Sequence, residues 1–131
     1  MHAVKEETEL HVVVPNDPGI LGRVLGTMAN AGINVRAMSV SSQGSQGHFH
    51  LLTDNHRKAQ AALKSLRYKV VLNKVVTVVI TDRIGAGAEI GALLGNAVIN
   101  IIYAYGSASG GGKTLLVFQT DNNKRALETL S

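Results

Sequence analysis

His11, His48 and His50 are the side chains whose type and spacing first suggest chemistry in this sequence. Imidazoles brought to one surface bind zinc, nickel or copper, and His48 and His50, two positions apart, would share one face of a strand. No cysteine joins them, because the 131 residues contain none; that removes disulfides, thiolate catalysis and thiolate-ligated zinc. The nine acidic residues fall mostly at helix starts, so no nucleophile–base constellation or carboxylate pair announces an enzyme. Two glycine-rich runs imitate phosphate-binding loops. Gly85-x-Gly87-x-x-x-Gly91 follows a strand and opens a helix, but its spacing is one residue too long for a dinucleotide fingerprint, and no acidic residue closes the next strand to hold a ribose. Ser107-Ala108-Ser109-Gly110-Gly111-Gly112-Lys113-Thr114 runs into Leu115-Leu116-Val117-Phe118. A phosphate loop must feed a helix, whereas this one feeds a strand and reads as a hairpin turn. No cofactor is implied.

The elements that must position these residues occur twice. Gly19, Asn30, Ala31, Ile33 and Asn34 recur as Gly85, Asn96, Ala97, Ile99 and Asn100, all 66 positions later. Thr53-Asp54-Asn55, Ala59 and Leu63 recur as Thr120-Asp121-Asn122, Ala126 and Leu130, at an offset of 67. One inserted residue accounts for the slip, and a long period repeated once means two copies of a small domain rather than an array. Each copy alone would bury too little surface to be more than marginal.

In the first copy, Leu10, Val12 and Val14 alternate with His11, Val13 and Pro15, the pattern of a strand. Asn16-Asp17-Pro18-Gly19 breaks it, with Asp17 suited to a helix N-cap and Pro18 to the first helical position. Leu21, Val24, Leu25, Met28 and Ala29 then form one helical stripe, ended by Gly32 at the left-handed position. Strands over 33–41 and 48–53 flank a turn, Asp54 or Asn55 caps a second helix with Ala59, Ala62, Leu63 and Leu66 inward, and 68–72 makes a fourth strand. The second copy predicts a strand at 75–81, a helix near 86–97, strands at 99–107 and 113–120, and a helix at 122–130.

The fold class is therefore α+β: two tandem ferredoxin-like β-α-β-β-α-β modules, with boundaries at 1–73 and 74–131 and helices on one face of each antiparallel sheet. The last strand of the second module is missing, so the sequence is trimmed there, or that edge is open or filled by another chain. An unpaired edge is a template for association and predicts a homo-oligomer. Strands one and three are neighbours in such a sheet, so His11, His48 and His50 would cluster opposite the helices. RNA-recognition sheets stack bases on aromatics at comparable places, but two Phe and three Tyr in the whole chain do not make that platform.

The net charge of +4 is mild, and its densest basic stretch, His56 to Lys69, reads as the wet face of a helix rather than a nucleic-acid footprint. The N-terminal stretch carries Glu6 and Glu7 and no apolar core, unlike a signal peptide. No apolar run approaches membrane-spanning length. The expectation is a soluble cytoplasmic protein without nucleic-acid or membrane partners.

A β-α-β-β-α-β unit with Asn16-Asp17-Pro18-Gly19 after strand one, Leu21 beyond it, an apolar helical stripe and Gly32-Ile33-Asn34-Val35 before strand two resembles an ACT domain. The resemblance covers nearly the whole chain as a tandem pair, and is strongest to stand-alone two-module proteins with Tyr-x-Tyr after strand two, here Tyr103-Ala104-Tyr105. It implies a regulatory module that binds an amino acid or related metabolite at the interface between modules or subunits, and whose state is read by a regulated enzyme or regulator. The positions carried over are Asn16, Asp17, Gly19 and Asn34 in copy one, and Asp82, Arg83, Gly85 and Asn100 in copy two. Copy two departs from the pattern with Arg83, Ile84 and Val98 where copy one has Asp17, Pro18 and Gly32, which puts its own site in question. The chemistry implied is sound: a helix N-terminus beside a glycine offers backbone N–H groups to a carboxylate, and an asparagine side chain both donates and accepts. The alternative is a metal-responsive or purely oligomerising protein that uses the His11, His48 and His50 face.

Overall fold

The computed structural model describes residues 3–108 and 111–131. Ser109 and Gly110, part of the anticipated 107–114 hairpin turn, lie outside the described residues. Ten elements run in the order β1 (Ala3–Pro15), α1 (Ile20–Asn30), β2 (Val35–Gln43), β3 (Gln46–Thr53), α2 (His56–Lys64), β4 (Lys69–Thr81), α3 (Ala86–Asn96), β5 (Ile101–Ala108), β6 (Lys113–Thr120) and α4 (Asn123–Leu130). The expected strands at 68–72 and 75–81 are one continuous thirteen-residue strand, β4, and β1 is equally long.

The chain divides into two compact units, one formed by Thr8–Asn73 and the other by Met1–Glu7 with Lys74–Ser131. In the first unit the strand order is β2-β3-β1-β4, using residues 8–15 and 69–73 of the two long strands. Leu10 pairs with Leu51, Val12 with Phe49 and Val14 with Gly47, and β2 pairs antiparallel with β3. The period-two pattern turns Leu10, Val12 and Val14 to one face. There they pack with Phe49 and Leu51 and with Val24 and Met28 of α1 and Ala59 and Leu63 of α2. Each such buried aliphatic side chain contributes about 1.5–3 kcal/mol. The α1 stripe is narrower than its spacing suggests: Val24 and Met28 are buried, while Leu21 is 45% exposed.

The second unit has the same arrangement with one substitution of parts. Its order is β1-β4-β6-β5, and β4 pairs with β6 and β6 with β5, both antiparallel. No strand follows α4. The place beside β4 where a fourth strand belongs is held by residues 3–7 of β1: the Thr77 hydroxyl donates to Glu7 Oε2 at 2.7 Å and lies 3.4 Å from the Lys5 carbonyl. Val4 packs on the core of Val76, Val78, Ile80, Ile90, Leu94 and Phe118. The edge anticipated as open or filled from another chain is thus closed from within, by residues 3–7 lying with 74–131. A thirteen-residue strand is long enough to serve one unit with its first half and the other with its second.

Both first helices end alike. The Ile33 N–H donates to the Met28 carbonyl at 2.9 Å and the Gly32 N–H to the Ala29 carbonyl at 3.0 Å; Ile99 to Leu94 and Val98 to Gly95 repeat this, each at 3.0 Å. These are Schellman caps, which need a left-handed residue at C′. Gly32 adopts φ +73° without strain, whereas Val98 is forced to φ +57°, a conformation that β-branched residues rarely accept.

Candidate functional site

The loop after strand one has the same shape in both copies. Gly19 has φ 86° and ψ −4°, and Gly85 has φ 86° and ψ −2°. The Ile20 N–H donates to the Asp17 carbonyl and the Ala86 N–H to the Arg83 carbonyl, both at 3.2 Å. Replacing Pro18 by Ile84 and Asp17 by Arg83 therefore leaves the backbone unchanged, because the left-handed glycine sets the turn. The N-cap is Gly19, not Asp17, and no side chain caps either helix start. Peptide N–H groups at the first turn of α1 and of α3 are consequently uncovered by side chains, the arrangement that favours an anion.

Each loop is tied to the neighbouring hairpin. The Asn16 N–H donates to the Ser45 carbonyl at 2.9 Å and its side-chain amide to the Gly44 carbonyl at 3.2 Å, while the Asp82 N–H donates to the Gly112 carbonyl at 2.9 Å. Asn16 therefore spends one of its two side-chain N–H groups on holding the loop, leaving Oδ1 and the second N–H on offer. Arg83 turns back onto its own helix, where Nη2 lies 2.5 Å from Glu89 Oε2, with both side chains about half exposed. A pair this wet contributes about 0–1 kcal/mol, so the guanidinium is easily drawn to another carboxylate.

At the other end of each helix, Asn34 and Asn100 are fixed by a carboxylate; in the first copy this is Asp54, expected only as an alternative helix cap. The Asn34 N–H donates to Asp54 Oδ1 and the Asp54 N–H to the Asn34 carbonyl, each at 3.1 Å; Asn100 and Asp121 repeat both bonds at 3.0 Å. The next residue in each copy caps the following helix, with Lys58 N–H donating to Asn55 Oδ1 and Arg125 N–H to Asn122 Oδ1, both at 3.1 Å. The repeated Thr-Asp-Asn was the signal available for this clamp. Clamping through the backbone leaves the side-chain amides of Asn34 and Asn100 exposed and, among the described residues, without a hydrogen bond.

Within one module these two groups do not meet. The eleven residues of α1 at about 1.5 Å per residue place Asn34 roughly 16 Å from the loop at Asn16, Asp17 and Gly19. That exceeds what one amino acid can bridge. The same holds for Asn100 and the loop at Asp82, Arg83 and Gly85 across α3.

The three histidines do come together on the face of the first unit opposite its helices. His11 lies opposite His50 in the β1–β3 register, with ring centroids 4.5 Å apart and planes inclined by 8°. His11 Nε2 lies 2.9 Å from His48 Nδ1. A carboxylate joins them that the alternating pattern placed on this face but whose burial it did not reveal. Glu9 is fully buried, with Oε1 3.1 Å from His50 Nδ1 and 3.4 Å from the Asn73 amide nitrogen that donates to it. Desolvation lowers the pKa of His11 from its ordinary 6.5, and charge on His50 and His48 lowers it further, against an opposing pull from Glu9. One ring nitrogen each of His11 and His48 is taken up by their mutual contact and His50 Nδ1 faces Glu9, while His48 Nε2 is buried without a hydrogen-bond partner among the described residues. Among the described residues no group of three or more His, Cys, Asp or Glu is placed to hold a metal ion. Nor, among them, is any helix long and apolar enough to cross a membrane.

A family model described as an ACT domain pair matches residues 6–131. Protein BT0572 from Bacteroides thetaiotaomicron has a similar crystal structure, with a TM-score of 0.89 at 24% identity over 97% of this chain and 88% of that one. The ligand-free regulatory subunit of aspartate kinase from Thermus thermophilus gives a TM-score of 0.69 at 19% identity over 97% and 93%. Aspartokinase III from E. coli, in complex with aspartate and ADP, gives 0.65 at 16% over 98% of this chain, which spans 32% of that protein. No curated protein matches the sequence.

Proposed function

Because this chain belongs to the ACT domain family as a pair of modules, we propose that it is a regulatory protein that binds an α-amino acid and passes the bound state to a partner. The single observation that carries this reading is the pairing, in each copy, of an uncapped helix start behind a left-handed glycine with an asparagine whose backbone is clamped and whose amide is unused. The first takes the ligand carboxylate on peptide N–H groups, and the second takes the ammonium or carboxylate on an amide that can donate or accept. Since one module holds these groups at opposite ends of a helix, a complete site needs the loop of one module and the asparagine of another. A second copy of the chain, bringing its own Asn34 to the loop at 16–19, would supply it. The loop at 82–85 would work in the same way with Asn100, and Arg83 would exchange Glu89 for the ligand carboxylate.

The likeness to the regulatory subunit of aspartate kinase agrees with a regulatory rather than catalytic role. Ligand binding would act by favouring one packing of modules over another, and only to the extent that it binds the two packings with different affinity. A regulated enzyme or a self-association step would read the change.

A thermal-shift screen against the twenty amino acids at millimolar concentration tests this. Binding to the folded state raises the melting temperature by mass action. The expected result is a rise with one or two amino acids that Asn34→Ala combined with Asn100→Ala abolishes and a chelator does not. No rise with any of them, or a rise that the Asn34→Ala, Asn100→Ala double variant leaves intact, would overturn the proposed sites.

A further inference from the structure

The first unit also contains an open cleft of 510 Å³ that none of Asn16, Asp17, Gly19 or Asn34 lines. Its walls come from the end of β1, the β2–β3 turn and the segment joining α2 to β4. Val13, Pro15 and Leu66 give it an apolar side, Tyr68 an aromatic one, and Arg67 and Lys69 two cations. No acidic side chain lines it. Neither Arg67 nor Lys69 forms an ion pair among the described residues. Arg67 is also held at φ +64°. The left-handed residue after a helix is ordinarily glycine, which adopts it without strain, and backbone outliers of other residues concentrate at binding sites.

We propose that this cleft binds a small organic carboxylate with an apolar or aromatic body, its anionic head on Arg67 and Lys69 and its body against Pro15, Leu66 and Tyr68. The guanidinium matches a carboxylate with two parallel N–H donors. Two cations without an acidic neighbour repel an ammonium group, so the cleft rejects the zwitterion that the asparagine sites are built for and selects the amine-free acid of similar shape. It is therefore a second ligand site of opposite selectivity, independent of the first.

The test follows the amide resonances of the ¹⁵N-labelled full chain during titration with phenylacetate, with 2-phenylethylamine and inorganic phosphate as controls. Phenylacetate is expected to give saturable shifts at 13–14, 45–46 and 66–69, while phenylethylamine gives none. Arg67→Gly, which suits the backbone at that position, combined with Lys69→Gln should keep the dispersed spectrum and weaken phenylacetate by about tenfold or more. Absence of saturable shifts at millimolar phenylacetate, shifts confined to 16–20 and 34–36, or unchanged affinity in the double variant would overturn the site. Equal shifts with inorganic phosphate would overturn the role of the apolar wall.

Discussion

Asn34 and Asp54 hold each other by two reciprocal bonds, Asn34 N–H to Asp54 Oδ1 and Asp54 N–H to the Asn34 carbonyl, both at 3.1 Å. Only the backbone of Asn34 takes part, whereas Asp54 contributes its side chain. Substitutions at the two residues should therefore separate binding from stability. Asp54→Ala is expected to cost about 1 kcal/mol in urea unfolding, the usual net worth of such a bond. Asn34→Ala should leave the midpoint unchanged and remove amino-acid binding at the loop of residues 16–19, and adding Asn100→Ala should remove the rest. Asp121→Ala should match Asp54→Ala, and the two losses should add.

The strained Val98 gives a prediction of opposite sign. At φ +57° and 87% exposed, it supports the α3 cap with an unfavourable backbone and little burial. Val98→Gly is expected to raise stability by about 1 kcal/mol, the relief of the left-handed penalty net of glycine's entropy. Gly32→Val should lower it by a similar amount. A Cβ on Gly32 would lie 3.6 Å from Lys58 Nζ, an ordinary contact, so that loss would come from the backbone alone. Urea midpoints measure both.

Lowering the pH should loosen the histidine face. The pKa of folded His11 lies below its unfolded 6.5, so the unfolded state takes up more protons in the window between the two values. The stability that neutral His11 contributes is present in full above 6.5 and is lost as pH falls below it toward the folded pKa. Urea midpoints measured from pH 7.5 down to 5 should fall more steeply for the wild type than for His11→Phe, which keeps a stacked ring but cannot titrate.

Val4 tests the strand exchange. It packs on the core of the unit made by residues 74–131 although it lies at the other end of the sequence. Val4→Asp sets a carboxylate against that core and is expected to cost about 2 kcal/mol. Amide hydrogen exchange should accelerate in 76–80 and 115–118. Equal acceleration throughout 8–73 would contradict the assignment.

Much of this architecture was legible in the sequence because the duplication reports each feature twice. Gly19 and Gly85, and Asn34 and Asn100, stand out by their offset before any fold is assumed, and the alternation around Leu10 and Phe49 gives the inner faces of the strands. What stayed hidden is non-local. Nothing in Ala3 to Glu7 shows that these residues pair with Thr77 rather than continue the first module, since strand patterns carry a face but not a partner. The buried Glu9 was hidden for the same reason: its neighbours His50 and Asn73 come from two other strands. Asp17 was assigned as the helix cap on composition, and lost that role because the glycine two residues later adopts the left-handed turn and begins the helix itself.

The loan of residues 3–7 also orders events in time. Lys5 and Thr77 are 72 positions apart, so residues 3–7, although synthesised well before Thr77, are among the last to find their place and must wait for the second module to be made. Contacts at such separation slow folding. Until they form, β4 presents an unpaired edge to every other nascent chain nearby. A fusion partner attached ahead of Ala3 would therefore be felt in the module farthest from it in the sequence.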